Sequence, residues 1–243
     1  MRKTEVNLKE SFYPSSLQER KEFYEREFSI EKVKKWFRKN GLKLPQICAI
    51  DAGGDTGIII DKNLKGEMLY VKFDELKEKI KKYVPEDVYY DRSRYKKPER
   101  VLRTLKFKEF VAQEFMFDID VDNIQGKKLG GEKISNTLIK EAYKYAVKMA
   151  MELKREFKKV EIVYSGRGFH VYVFDKKARY MNFEERARFV RKFLKYPIDP
   201  WVSKGHIRLA RLPYSLNGLV SRICKPIYNK FLIKETLPRF LKN

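Results

Sequence analysis

Phe115-Met116-Phe117-Asp118-Ile119-Asp120-Val121-Asp122 alternates with period two. Phe115, Phe117, Ile119 and Val121 fall on one side of an extended chain, and Met116, Asp118, Asp120 and Asp122 on the other. The pattern predicts a strand with an apolar back and an acidic front. Carboxylates at i and i+2 on one face sit roughly 7 Å apart and repel unless a cation or basic neighbour answers them. Solvated faces usually mix the signs of their charges. The run therefore reads as a site for a hard divalent metal, Mg2+ or Mn2+, which takes carboxylate oxygens and keeps positions open for substrate phosphates.

Downstream, residues 135–157 carry Leu138, Ala142, Ala146, Met149, Leu153 and Phe157 at helical spacing, with lysines on the far side. This predicts a helix packed on a sheet. Residues 160–164 and 169–174 read as two strands joined by Ser165-Gly166-Arg167-Gly168. Glycines let backbone approach a ligand, and serine, arginine and backbone N–H groups suit phosphate oxygens. His170 opens the second strand beside that turn. A helix is expected over 182–194; Asp199 and then Lys204 follow, ahead of a basic strand around Arg208 and Arg211 that ends at Pro213. Residues 222–227 suit a last strand and 230–241 a closing helix.

Upstream, residues 1–40 read as an amphipathic helical pair, with Ser15 or Ser16 before Glu19 as a capping box. Short strands are expected at 46–51, 57–61 and 68–73, the first two around a tight turn at 52–56, which reads as an ordinary hairpin. A lysine-rich helix over 73–83 stops at Pro85, and 87–91 suits a strand. In the basic segment 93–103, Tyr95, Lys96, Lys97, Arg100 and Arg103 fit a nucleic-acid strand or a solvated loop equally well.

The 243 residues are 43% hydrophobic, enough for a proper core, and carry a net charge of +22. Thermophile ion-pair networks need balanced signs, so this excess points to a polyanion partner. Two distant cysteines, Cys48 and Cys224, make neither a disulfide framework nor a zinc knuckle and suit the cytoplasm. No apolar run approaches a membrane span, so no membrane partner is expected. Alternating strands and helices without a clear linker favour one compact α/β or α+β unit.

Acidic strand, Ser-Gly-Arg-Gly turn with His170, and basic strand answer one another through a metal-bound nucleoside triphosphate. Two ions on carboxylates can activate a 3′-hydroxyl and stabilise leaving pyrophosphate, while arginine and histidine hold the phosphates.

The order Phe117-Asp118-Ile119-Asp120, then Ser165-Gly166-Arg167-Gly168-Phe169-His170, then Asp199 and Arg211-Leu212-Pro213-Tyr214-Ser215 resembles the archaeo-eukaryotic primase superfamily. It is most similar to the DNA primase small subunit, over residues 83–227. The resemblance implies an α+β fold, the primase catalytic core of mixed β-sheets flanked by helices, as a single domain over 1–243. It implies two ions, Mg2+ or Mn2+, on Asp118, Asp120 and Asp199. It places the nucleotide on Ser165, Gly166, Arg167, His170, Arg208, Arg211 and Ser215. The DNA template would run past Tyr95, Lys96, Lys97, Arg100 and Lys204, with NTP or dNTP as substrate and a primase large subunit as the family's partner.

Two departures stand out. Residues 123–164 contain neither Cys nor His, so no zinc is expected where the small subunit usually carries a zinc knuckle. Asn217 stands where the family often has histidine. The activity implied is primer synthesis or strand extension on DNA. Two rivals stay open: an idle nucleic-acid-binding subunit, and a metal-dependent nuclease.

Overall fold

In a computed structural model, residues 11–51 and 68–242 are described. The turn expected at 52–56 and the strand at 57–61 lie outside them. In chain order the elements are α1 (Leu17–Arg26), α2 (Ile30–Lys39), β1 (Ile47–Asp51), β2 (Leu69–Lys72), α3 (Leu76–Tyr83), β3 (Asp87–Asp91) and β4 (Ser93–Tyr95). There follow α4 (Pro98–Thr104), β5 (Phe110–Gln113), β6 (Phe115–Asp120), α5 (Val121–Gln125), α6 (Asn136–Leu153), β7 (Val160–Tyr164) and β8 (Gly168–Val173). The chain continues through α7 (Lys176–Arg179), α8 (Phe183–Arg191), α9 (Pro200–Lys204), β9 (Leu209–Arg211), β10 (Leu216–Asn217), β11 (Arg222–Ile223) and β12 (Lys225–Ile227). The α+β class is borne out.

Local chemistry sets the helix starts. Ser16 and Glu19 form the expected capping box at α1, and Asn182 and Glu185 form another at α8. The Ser135 hydroxyl accepts the Leu138 N–H at 3.2 Å, so α6 begins where the sequence signals it.

A four-stranded antiparallel sheet has the order β12-β7-β8-β6. In β6 the odd residues Phe115, Phe117 and Ile119 enter one core with Ala142, Ala146 and Met149 of α6 and Phe189 of α8. The even residue Met116 enters a second core, with Tyr172 of β8, Trp36 of α2 and Val88 of β3. Both faces of this sheet are therefore buried along most of their length. The acidic end of β6 lies beyond the apolar cover of the second face.

The other large sheet runs β11-β10-β3-β1-β2, with β9 also on β3. Helices α1, α2 and α3 share its core. A separate ribbon pairs β4 with β5.

Four expectations need correction. The strand of the acidic run stops at Asp120, because the Asp120 carboxylate accepts the Asp122 N–H at 2.9 Å and caps α5. Val121 and Asp122 are helical. Segment 93–103 is not a loop: it forms β4 and then α4, which starts at Pro98, a residue suited to a first helical position. Residues 222–227 divide into β11 and β12, which belong to different sheets. Residues 230–241 form two single 3-10 turns in place of one helix, with Pro238 between them.

Candidate active site

The register of β6 and β8 builds the centre of the site. Asp118 stands opposite His170, and Asp120 opposite Gly168. Neither partner carries a fixed charge, so the strand pairing leaves both carboxylates uncompensated. A side chain at Gly168 would meet the Ile119 carbonyl at 2.1 Å, so this glycine is required by the close approach of β6. Gly166 lies in the left-handed region at φ +106°, and a Cβ there would meet Asn217 at 2.6 Å. Both glycines of the turn thus answer first to the protein's own packing, Gly168 to the β6 backbone and Gly166 to the Asn217 side chain. Asn217 holds the turn by donating to the Ser165 carbonyl at 3.0 Å.

Asp199 arrives from elsewhere in the sequence. Its backbone N–H donates to the Asp118 carbonyl at 2.9 Å, which moors the start of α9 on β6. Its Oδ1 accepts the N–H groups of Trp201 and Val202 at 2.7 and 3.1 Å. Asp118, Asp120 and Asp199 line one cleft of about 590 Å3, with Asp122, Lys127 and Lys128. The three carboxylates expected to act together are therefore brought together. In Asp120 and Asp199 the cap uses Oδ1, and Oδ2 accepts no hydrogen bond among the described residues.

The electrostatics follow from this crowding. Burial, then Asp120 and Asp199, push the Asp118 carboxyl well above the usual carboxylate range. Burial also raises Asp120, against the pull of Arg167. His170 is pushed down to about 3 by burial, then by Arg211 and Arg92, so its ring is neutral near pH 7. Its Nε2 lies 3.6 Å from Asp118 Oδ1, and its Nδ1 lies 3.3 Å from the Tyr172 hydroxyl.

Among the described residues no three His, Cys, Asp or Glu side chains close into a cage for one ion. The donor set is all oxygen, as a hard cation requires.

The expected phosphate contacts divide. Arg167 donates to Asp122 at 2.6 Å and lies 3.6 Å from Asp120, while its Nε is buried without a partner. Arg211 is buried and donates two hydrogen bonds to Asp87. Arg208 donates to Asp91 at 2.9 Å and to the Tyr70 hydroxyl at 2.9 Å. Ser215 is buried and its hydroxyl donates to the Leu212 carbonyl at 2.8 Å, a turn contact. Ser165 lies buried in the hairpin turn, its N–H donating to the Gly168 carbonyl at 3.0 Å.

Of the expected nucleic-acid contacts, Tyr95 is buried and its hydroxyl donates to Asp91, so its ring cannot stack on a base. Lys96, Lys97 and Arg100 are exposed and line a second groove. Lys204 ends α9, partly exposed. The cleft lysines Lys127 and Lys128 were not expected. Their signal is the Gly-Lys-Lys that follows the acidic run.

A sequence profile of the DNA primase small subunit matches residues 117–197. The chain is 36% identical to an uncharacterized DNA primase small subunit-like protein of Archaeoglobus fulgidus, over 93% of this chain and 87% of that protein. It is 32% identical to the DNA primase small subunit PriS of Aeropyrum pernix, over 51% of this chain and 36% of the relative. For the PriS of Methanoregula boonei the identity is 27%, over 72% of this chain and 47% of the relative. The chain thus spans less than half the length of these two PriS proteins.

Proposed function

This chain belongs to the DNA primase small subunit family, and on that premise we propose that it is a template-directed nucleotidyltransferase making or extending strands on DNA. The observation that carries the reading is the cleft where Asp118, Asp120 and Asp199 meet with no arginine opposite the first two in the strand register. Such a cluster stays ionised together only when bound cations sit among its oxygens. Asp118, Asp120 and Asp199 would hold two Mg2+ or Mn2+ ions. Bound there, the ions would supply nucleophile activation and neutralisation of charge on the leaving oxygens.

The chain's own residues orient the nucleotide around that charge. The neutral His170 ring offers a hydrogen bond rather than a charge. Arg167 sits at the edge of the carboxylates with one donor unpartnered, so the anionic tail of a nucleotide can draw it away from Asp122. Lys127 and Lys128 add positive charge to the cleft rim.

Two arginines cited for phosphate contact, Arg208 and Arg211, are paired with carboxylates inside the protein. This favours one rival, an idle nucleic-acid-binding subunit. The discriminating assay is primer extension on a DNA template with NTPs or dNTPs and Mn2+, scored for longer strands and released pyrophosphate. The proposal expects both, and expects neither from Asp118→Asn with Asp120→Asn. Binding of DNA without turnover under any of these conditions would assign the idle role, and shortened strands without pyrophosphate would assign a nuclease. A primase large subunit remains the partner the family suggests.

A further inference from the structure

Immediately past Asp199, the chain exposes a row of rings. Trp201 in α9 is 64% exposed, although the other tryptophan, Trp36, is buried in the core. Gly205 ends α9 at φ +94°, and the reversal brings the exposed His206 back over Trp201, with ring centroids 5.0 Å apart. His206 in turn stacks on Phe183 at 5.2 Å, with the planes only 6° from parallel. Phe183, 43% exposed, meets Phe110 of β5 edge-on at 5.6 Å. The row is firmly held: Gln113 of β5 donates to the Gly205 carbonyl at 3.1 Å.

Phe110 belongs to two grooves. One, of about 330 Å3, lies between β5 and the start of α8 and includes Phe183. The other, of about 550 Å3, is lined by Lys96, Lys97, Arg100, Lys106 and Lys108 against one acid, Glu109. A stepped ledge of rings thus leads from the carboxylate cleft to a groove with five cations. Rings that accept any base and a groove that follows a phosphate backbone are the two parts of a single-strand binding track. Apolar rings alone would fit a protein partner equally well. The five cations at the end of the row make the surface complementary to a polyanion.

We propose that Trp201, His206 and Phe183 are a stacking ledge for single-stranded DNA, and that Lys106 and Lys108, with Lys96, Lys97 and Arg100, hold its backbone beyond the ledge. The assignment rests on the proposed function, because it supplies the path of the template strand into the cleft. The sequence offered Tyr95 as the stacking ring; the structure moves that role to the 183–206 row.

The test titrates the full chain with an oligo(dT) of about 20 nucleotides in EDTA, so that no metal is needed. Binding is followed by anisotropy of labelled DNA and, separately, by tryptophan fluorescence. Since Trp36 is buried, quenching reports Trp201. The expected result is saturable quenching that tracks anisotropy. His206→Ala should weaken binding fivefold or more, as loss of one stacking contact implies, without changing the salt dependence. Lys106→Ala with Lys108→Ala should lower the slope of log affinity on log salt by about 1.4, at about 0.7 per phosphate contact. All three are exposed residues, so the core is untouched.

Binding without quenching, or variants that bind as the wild type does, would overturn the ledge. No DNA-dependent quenching even at 50 mM salt would assign the rings to a protein contact and overturn it equally. The two readings fail separately. Normal primer extension by a chain whose ledge variants bind unchanged rejects the ledge alone. Ledge-dependent binding by a chain that never extends a primer rejects the proposed function alone.

Discussion

The two large sheets treat their carboxylates in opposite ways. In the β3–β9 pair, Asp87 is answered by Arg211 and Asp91 by Arg208, both supplied by or next to the neighbouring strand. In the β6–β8 pair, Asp118 and Asp120 face a neutral imidazole and a glycine. A third arrangement lies at the start of β6. Glu114 is buried against the Tyr90 hydroxyl at 2.7 Å, and burial pushes its carboxyl up to about 7, with Tyr90 and Arg92 opposing. One pair of acids is matched by guanidinium groups, one acid by a proton, and one pair only by Arg167, which lies 3.6 Å from Asp120 and is held by Asp122 at 2.6 Å. The last pair is where a cation from outside has a reason to bind.

The contrast can be broken by moving acids between these classes. Asp118→Asn with Asp120→Asn should cut strand extension by at least about a thousandfold, the scale of losing charge stabilisation at a reacting centre. The same change should leave the melting temperature equal or higher, because it relieves like-charge repulsion. A large drop in melting temperature would mean that these acids are structural. Asp87→Ala should do the reverse. It strands the buried Arg211, and unfolding by denaturant should show a loss of about 3–5 kcal/mol. An unchanged midpoint would remove the distinction between the sheets.

The smallest effect belongs to Glu114. A carboxyl that holds its proton more tightly when folded contributes stability below its ordinary range, and that contribution is lost as pH rises towards 7. Wild-type stability should therefore fall from pH 5 to pH 8. Glu114→Gln should flatten that fall by on the order of 2 kcal/mol in denaturant titrations at the two pH values. Parallel pH profiles would show that Glu114 is ionised in the folded chain.

Much of this was legible in the sequence where the signal is local. Period two in β6, the stripe of α6 and the capping serines each act over a few residues, and each element formed where it was read, with its end displaced in β6 and α6. The three carboxylates were also legible as a set, though Asp199 lies 79 positions after Asp120. What the sequence did not show was non-local or hidden. The pairing of Arg208 with Asp91 and of Arg211 with Asp87 was not legible, because the partners lie more than 100 positions apart. The helix of α4 was hidden by its density of basic residues, although Pro98 marked its first turn. The end of β6 was misplaced because Asp120 keeps the alternation going while its side chain caps the next helix. The ring row was missed because Phe110, Phe183 and Trp201 come from three separate elements.

Whether cations from outside complete the β6 cleft is decided by counting Mn2+ bound to the chain in the presence of a non-hydrolysable nucleotide. Electron paramagnetic resonance of free Mn2+ during the titration gives that count. The wild type should bind two ions per chain, lost in Asp118→Asn with Asp120→Asn and retained in His206→Ala. Equal Mn2+ binding by the wild type and the doubly substituted chain would contradict a metal site on these carboxylates.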